Sequence, residues 1–115
     1  MDIRIIESGV SIDELIEASR DFDDELVKAV VDIKRGIMAI GGSMHSDEET
    51  TLLDDGSEQD DLWGINIYPG RRGEDWVEFD SMINIRPRQG NRARNVEKAD
   101  LREKIIKIVE ALVKR

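Results

Sequence analysis

Residues 62–92 read LWGINIYPGRRGEDWVEFDSMINIRPRQGNR, and this stretch decides the fold because it contains two alternating patterns joined by a polar connection. Apolar side chains alternate with polar or small ones in residues 62–68 and again in residues 77–85. A period of two is typical of a half-buried strand. The connection at residues 69–75 is rich in glycine and charge, which predicts a hairpin loop of several residues. We therefore expect two antiparallel strands here.

The register of this hairpin follows if the strands pair symmetrically about the loop. Ile67 then faces Val77, and Asn66 faces Glu78. One face of the hairpin is apolar and packs on the core, while the other face carries polar side chains. Pro87 cannot donate a ladder hydrogen bond, so the second strand is expected to end near it.

Residues 26–42 predict a second and more apolar hairpin. β-Branched residues are frequent in its first arm, and Lys34-Arg35-Gly36 indicates a three-residue loop with glycine in the left-handed conformation. This loop places Val31 opposite Ala39. Strands as apolar as these suit the middle of a sheet.

The first helix has the clearest start signal in the chain. Ser11 and Glu14 have the spacing of a capping box, in which each side chain satisfies a backbone N–H group of the other residue. The apolar period then predicts a helix over residues 11–20, and the acidic run at 21–25 is expected to end it.

Two further helices follow from caps and periodicity. Ser46 and Glu49 have capping-box spacing and predict a short helix over residues 47–55. Apolar residues at a period of 3.6 predict a helix over residues 98–114. With a short first strand at residues 3–6, the element order predicts an α+β, two-layer fold. It consists of a mainly antiparallel sheet of four or five strands with helices mainly on one face.

Length and composition limit the class of protein. The 115 residues are expected to form one domain over residues 1–115. The absence of cysteine excludes disulfides, thiolate nucleophiles and cysteine-ligated metals. We see no signal peptide and no apolar run long enough to cross a bilayer, so we expect a soluble, cytoplasmic protein with no membrane contact.

The net charge of −9 lowers the expectation of nucleic-acid binding. Acids are concentrated in residues 1–61, whereas the bases are concentrated in residues 62–115. The two halves should therefore attract each other across the fold. We expect no nucleic acid among the partners.

Two stretches carry candidate chemistry, and the first is the arginine-rich loop. It has four arginines within nine residues, Arg86, Arg88, Arg92 and Arg94. Together with Gln89 and Asn91 they supply donors that suit a carboxylate or a phosphate. The alternative is that these arginines pair with acids of the first half and dock the loop.

The second candidate is His45, with Asp47 close by, as an acid–base group or a metal ligand. A metal would need further ligands from elsewhere, and capping already explains the nearby acids, so we expect neither a metal nor a cofactor. The chain has no recognisable nucleophile motif, and the sequence leaves open whether the protein is an enzyme.

The stretches DLWGINIYP, SMINIRPRQGNR and GGSMHSDEETTLL resemble a small family of short prokaryotic proteins known only as a domain of unknown function. The resemblance implies a shared fold. It also implies a histidine and an acid at the positions of His45 and Asp47, and an RPxQGNR-type loop. The resemblance implies either a shared ligand site or a shared buried polar network. The residues within the family's pattern are His45, Asp47, Gln59, Trp63, Asn84, Arg86, Gln89, Asn91 and Arg92.

Taken together, these patterns favour a non-catalytic protein-interaction module that binds an unknown protein partner or pairs as a homodimer. The alternative is a protein that binds a small anionic ligand, or an enzyme. Its site would form where the loops at residues 44–47 and 86–92 converge at one end of the sheet.

Overall fold

In residues 2–20 and 25–115, which the computed structural model describes, seven strands and three α-helices form an α+β fold. The strands are β1 (Arg4–Ile6), β2 (Val10–Ser11), β3 (Val27–Asp32), β4 (Ile37–Ile40), β5 (Leu62–Ile67), β6 (Val77–Glu78) and β7 (Val113–Lys114). The helices are α1 (Ile12–Ser19), α2 (His45–Asp54) and α3 (Ala99–Leu112). Five strands form an antiparallel sheet in the order β1-β4-β3-β5-β6, and β2 pairs with β7 in parallel.

Helices cover both faces of the main sheet. Val31 belongs to the apolar cluster that includes Leu15 of α1 and Val109 of α3, whereas Val30 packs with Leu52 of α2. Successive residues of a strand point to opposite faces, so α1 and α3 lie on one face and α2 lies on the other. The predicted α+β class with a mainly antiparallel, five-stranded sheet is confirmed. Two of the three helices, α1 and α3, share a face, whereas α2, which is longer than α1, covers the other face.

The predicted start of α1 is confirmed. The Ser11 hydroxyl accepts the Glu14 N–H at 3.1 Å, and the Ser11 N–H donates to the Glu14 carboxylate at 2.9 Å. Both bonds of the capping box are therefore present. The acidic run that was expected to end this helix lies largely outside the described residues, since residues 21–24 are not among them.

The register of the β3–β4 hairpin differs from the prediction by one residue. Val31 faces Met38, not Ala39, and Asp32 faces Ile37. The cause is the Asp32 carboxylate, which accepts the backbone N–H groups of Lys34 and Arg35 at 2.9 Å each. These two bonds close a four-residue loop, residues 33–36. A one-residue slip exchanges the faces, so Val31 and Ala39 lie on opposite sides of the sheet. Gly36, with φ of 69°, adopts the expected left-handed conformation.

The β5–β6 hairpin has the predicted register, but its second arm is much shorter than predicted. Ile67 faces Val77 and Asn66 faces Glu78, as expected. The predicted strand at residues 79–85 is wrong, because the chain leaves the sheet after Glu78 and forms a 3₁₀ turn at Met82–Asn84.

Side chains replace the missing strand along the outer edge of β5. The Asn84 side chain accepts the Gly64 N–H at 2.8 Å and donates to the Gly64 carbonyl at 2.9 Å. A side-chain amide offers the same donor and acceptor as a peptide group. Both backbone groups of Gly64 thus have hydrogen-bond partners without a neighbouring strand. The period of two in residues 79–85 therefore does not correspond to a strand.

Helix α2 begins two residues earlier than predicted, and the Ser46–Glu49 capping box does not form. Its N-cap is Met44, which makes no side-chain capping hydrogen bond. Ser46 therefore lies inside the first turn, where it cannot cap. The Glu49 carboxylate turns instead toward Gln59 and Arg86. Gly56 ends the helical segment with φ of 103°, the left-handed conformation that favours glycine there.

Helix α3 confirms the predicted period of 3.6. Ile105, Val109 and Leu112 are buried in the core. The chain then continues into β7, whose Val113 pairs with Val10 of β2. In the part of the chain that the structure describes, no helix is both long enough and apolar enough to cross a bilayer.

Gly64→Ala is expected to lower the free energy of unfolding by roughly 2 kcal/mol. A Cβ at this position would lie 2.6 Å from Cβ and Oγ of Ser81, which crosses over the glycine. Gly70→Ala is the matched control, because no atom lies within 4 Å of a Cβ there. Urea unfolding of both variants tests this expectation, and equal midpoints would show that Ser81 moves aside without cost.

Candidate functional site

A cleft of about 240 Å³ opens on the α2 face of the sheet, where α2 begins. We call it the α2 cleft. Its lining includes Lys28, Ser43, His45, Asn66, Asp80 and Arg94. Strand β3 supplies Lys28 and the neighbouring strand β5 supplies Asn66, and these two residues are paired in the register of the two strands. The cleft therefore combines neighbouring strands, the start of a helix and the chain that follows β6.

His45 is the first residue of α2, and its side chain is only 8% exposed. Its Nε2 lies 2.8 Å from the Ile65 carbonyl oxygen. A carbonyl only accepts, so Nε2 carries the proton and the other ring nitrogen, Nδ1, is left as an acceptor in the neutral ring. Burial lowers the pKa of His45, while the hydrogen bond to Ile65 opposes this shift. The ring is therefore neutral at pH 7.

Asn66 lies in the wall of the cleft and is 5% exposed. Its amide nitrogen donates to the Glu78 carboxylate at 2.8 Å, and Glu78 also accepts the Tyr68 hydroxyl at 3.1 Å. The amide oxygen of Asn66 is buried and has no hydrogen-bond partner. Leaving such an atom unpaired costs about 1–3 kcal/mol.

The N-terminus of α2 opens into the same cleft. Ser43, Met44, His45 and Ser46 all contribute to the lining. Met44 provides no side-chain cap, and its carbonyl accepts the Asp47 and Glu48 N–H groups, so the N–H groups of His45 and Ser46 are those left for an acceptor at this end of the helix. The partial positive charge of a helix N-terminus adds to this, so this end of the cleft favours negative charge.

Glu48 lies one turn into α2 and is fully buried. Its Oε2 accepts the Gly42 N–H at 2.9 Å. Burial raises the pKa of Glu48 to about 9, and the bond from Gly42 only partly offsets this. The carboxyl group is therefore protonated at pH 7 and does not oppose an anion at the start of the helix.

Charged and apolar side chains complete the cleft. Asp80 pairs with Arg94 at 2.7 Å, and Lys28 lines the cleft beside them. At the rim, Met44 is 58% exposed and Met82 is 66% exposed. They are the two most exposed large apolar side chains in the part of the chain that the structure describes, and both border the cleft.

The arginine-rich loop lies further along α2 and makes contacts within the protein. The Arg86 guanidinium donates to the carbonyls of Gln59 and Leu62 and stacks on the Trp63 ring, with 4.2 Å between its carbon and the ring centre. Burial lowers the pKa of Arg86, and the nearby Glu49 opposes this shift. Arg86 therefore connects the chain that follows β6 to the start of β5 and to the segment just before it.

The neighbours of Arg86 also bond to the first half of the chain. Arg88 forms an ion pair with Asp60, and the Gln89 side chain donates to the Asp60 carbonyl at 3.0 Å. Arg92 is exposed, and its backbone N–H donates to Glu97 at 2.6 Å. These contacts are those of a docked loop.

Asn84 and Asn91 are buried and act on the backbone. Besides Gly64, Asn84 donates to the Arg94 carbonyl at 2.9 Å. The Asn91 amide nitrogen donates to the carbonyls of Asn84, Ala93 and Asn95, and its oxygen accepts the Glu97 N–H at 2.8 Å. Together they hold the chain after β6 in place beside the α2 cleft.

The structure thus separates the residues that were grouped from the sequence. His45 lines the α2 cleft, while Asp47 is exposed on the first turn of α2. Gln59, Trp63 and Arg86 cluster elsewhere, as described above. Within residues 2–20 and 25–115, no three histidine or acidic side chains are arranged to hold a metal ion.

Sequence analysis did not name Lys28 or Asp80 as site residues, placed Arg94 in the arginine-rich loop, and treated Asn66 only as a strand residue. One signal for Asn66 was available, because the predicted register already placed it opposite Glu78 as a polar pair within an apolar strand. Lys28 joins the cleft only because β3 pairs with β5, and no local pattern indicates that pairing.

The fold and the cleft define a small α+β protein with a polar pocket between an antiparallel sheet and the start of a helix. The chain belongs to the family described as protein of unknown function DUF5674, which matches residues 4–112. This confirms the resemblance to a domain of unknown function. No curated protein and no solved structure matches the chain.

Proposed function

We propose that this protein binds a small anionic molecule in the α2 cleft. The observation that carries this proposal is the start of α2, which has no side-chain cap and lies in a cleft that Lys28 also lines. The partial positive charge of a helix N-terminus and the lysine ammonium group both favour a negatively charged ligand.

Local charge supports an anion despite the net charge of the whole chain. The start of α2 has no side-chain cap, and Lys28 adds positive charge to the lining, in which Arg94 and Asp80 neutralise each other as an ion pair. His45 and Glu48 are neutral at pH 7, so neither opposes a negative ligand. The net charge of −9 repels anions at long range, which slows their approach and limits affinity at low salt.

The size of the cleft restricts the ligand. Its volume of about 240 Å³ is below the range of roughly 300–1,000 Å³ that is typical of sites for drug-sized molecules. A phosphate or a short carboxylic acid fits, whereas a nucleotide does not. We therefore place the anion site at His45 and assign Arg86, Arg88, Gln89, Asn84 and Asn91 to the scaffold that supports it.

A thermal-shift panel of phosphate, sulfate, acetate and propionate tests this proposal. A ligand present at 100 times its dissociation constant adds about 2.7 kcal/mol, which raises the melting temperature by roughly 10 °C in a domain of this size. We expect Lys28→Met to lower the affinity for the anion that binds by at least about ten-fold, because the substitution removes the charge and keeps the aliphatic chain. Arg88→Met, outside the cleft, is the matched control.

Three outcomes contradict the proposal: no anion in the panel shifts the melting temperature, Lys28→Met binds as well as the unmodified protein, or Arg88→Met weakens binding equally. The last result would indicate that the anion binds at the arginine-rich loop instead. Circular dichroism of both variants confirms that each is folded before binding is measured.

Protein interaction is the second candidate function, and the exposed Met44 and Met82 favour it. Methionine adapts its shape to a partner, and it is common on surfaces that accept varied partners. A partner protein or a second copy of the chain would cover the rim of the cleft in this case. Light scattering that finds a monomer at every concentration, together with no partner in a pull-down, would count against it.

A further inference from the structure

Two of the four methionines of the chain border the α2 cleft, and they come from separate elements. Met44 is the N-cap of α2, and Met82 begins the 3₁₀ turn that follows β6. Both side chains are exposed, whereas Met38 is fully buried in the core. The side chains of Met44 and Met82 can therefore contact the same bound species in the cleft.

His45, the only histidine of the chain, lines the same cleft. Its Nε2 donates to the Ile65 carbonyl at 2.8 Å, which leaves the lone pair of the neutral ring on Nδ1. Nδ1 makes no hydrogen bond within the described residues, and it is not one of their sealed polar atoms without a partner. It is therefore open to the cleft. A metal-binding imidazole typically donates its other N–H to a carbonyl or carboxylate, which fixes the ring, and His45 has this arrangement.

The two thioether sulfurs and the imidazole nitrogen form a neutral and mostly soft set of donors. Among metal ions, thioether sulfur selects Cu(I), and imidazole also binds copper. A hard divalent cation needs several oxygen ligands, but Asp80, the carboxylate of the lining, is already paired with Arg94 at 2.7 Å. Lys28 and the start of α2 also add positive charge. This charge opposes a divalent ion about twice as strongly as a monovalent one.

We propose that Met44, Met82 and His45 bind a soft monovalent cation, Cu(I), through two thioether sulfurs and Nδ1. This site goes beyond the proposed function and does not rest on it. The anion site depends on Lys28 and the backbone at the start of α2, whereas the cation site depends on three other side chains. From the sequence, a metal at His45 lacked further ligands, and the cleft supplies them as sulfur.

NMR of the protein labelled with ¹³C in its methionine methyl groups tests the site without any variant. Silver nitrate in a chloride-free buffer is the probe, because Ag(I) has the charge and ligand preference of Cu(I) and is stable in air. We expect the methyl signals of Met44 and Met82 to shift together and to saturate at an equimolar amount of silver. The methyl carbon is bonded to the ligating sulfur, so it reports binding directly. The signal of Met38 should stay in place, and an unmoved signal of Met44 or Met82 would overturn the proposal.

Met44→Leu and Met82→Leu then separate the two sulfurs and assign their signals. Affinity for Cu(I) is measured without oxygen, by competition with the coloured Cu(I) chelator bicinchoninate. We expect each variant to lower the affinity by at least about ten-fold, because it removes one ligand and keeps the size of the side chain. Met38→Leu is the matched control, since it makes the same exchange away from the cleft. Unchanged affinity in either cleft variant, or an equal loss in the control, would contradict the site.

Zn(II) tests the choice of cation. Zinc prefers thiolate, imidazole and carboxylate ligands, and the chain has no cysteine. We therefore expect equimolar Zn(II) to leave the methyl signals of Met44 and Met82 unmoved and to displace no silver. Zinc that displaces silver from both methionines would show that nitrogen and oxygen donors dominate the site, and the assignment to a soft monovalent cation would be wrong.

Discussion

Asn84→Ala is expected to lower the free energy of unfolding by about 4 kcal/mol. The substitution leaves two backbone groups without a partner, the N–H and the carbonyl of Gly64, and it removes one of the two hydrogen bonds to the Arg94 carbonyl, which still accepts the Ser81 N–H at 3.1 Å. Asn84 is fully buried, so water cannot replace the amide without opening the structure. Each unpaired buried group costs about 1–3 kcal/mol.

Urea unfolding at pH 7 measures this effect. Asn95→Ala is the matched control, because Asn95 is exposed and accepts a hydrogen bond only through its backbone carbonyl. We expect the control to differ from the unmodified protein by less than about 0.5 kcal/mol. A loss below about 1 kcal/mol for Asn84→Ala would mean that another group closes the edge of β5.

Glu48→Gln is expected to stabilise the protein at neutral and alkaline pH. The pKa of Glu48 is raised from 4.5 to about 9 in the folded state. The folded protein therefore holds this proton more tightly than the unfolded chain does. This contribution to stability is complete below pH 4.5 and is lost as the pH rises toward 9. Between pH 4.5 and pH 7 the loss is about 3 kcal/mol.

Glutamine keeps an oxygen for the Gly42 N–H and stays neutral at every pH. The free energy of unfolding of Glu48→Gln should therefore equal that of the unmodified protein near pH 4 and exceed it by about 3 kcal/mol at pH 7. Urea unfolding at half-unit steps of pH measures the difference. Glu58→Gln, at an exposed position, serves as the control. Parallel pH curves for Glu48→Gln and the unmodified protein would show that Glu48 ionises normally.

The sequence predicted those features that depend on neighbouring residues. The capping box of Ser11 and Glu14 forms because both partners lie within one turn of helix. The period of 3.6 in α3 survives because the helix packs along its whole length against one face of the sheet. The β5–β6 register was predictable because the loop between the strands fixes it.

Single side chains overturned the other expectations. The Asp32 carboxylate takes two backbone N–H groups and lengthens the β3–β4 loop by one residue, which shifts the whole register. Asn84 takes the place of a strand beside Gly64, so the alternation in residues 79–85 no longer indicates β-structure. Alternation records which positions are apolar, but it does not show where a side chain replaces the backbone as a partner.

The candidate site was harder to predict than the fold. The arginine-rich loop attracted attention because its charges are dense, yet Arg86 bonds to backbone carbonyls and Arg88 pairs with Asp60. His45 lines the α2 cleft, but its neighbours there were not predicted, because Lys28 and Asn66 meet only through the pairing of β3 with β5. Residues that are 38 positions apart in sequence leave no local signal of contact.

The side-chain closure of β5 also bears on how copies of this chain behave when concentrated. An open strand edge recruits strands from other molecules, and this is a common start of aggregation. Here β6 pairs with only Asn66 and Ile67, and Asn84 and Arg86 occupy the remaining outer edge at Gly64 and Leu62. Those two side chains therefore block the pairing of this edge with a strand from another molecule. A partially opened molecule in which they swing out is the species from which we expect fibrils to begin.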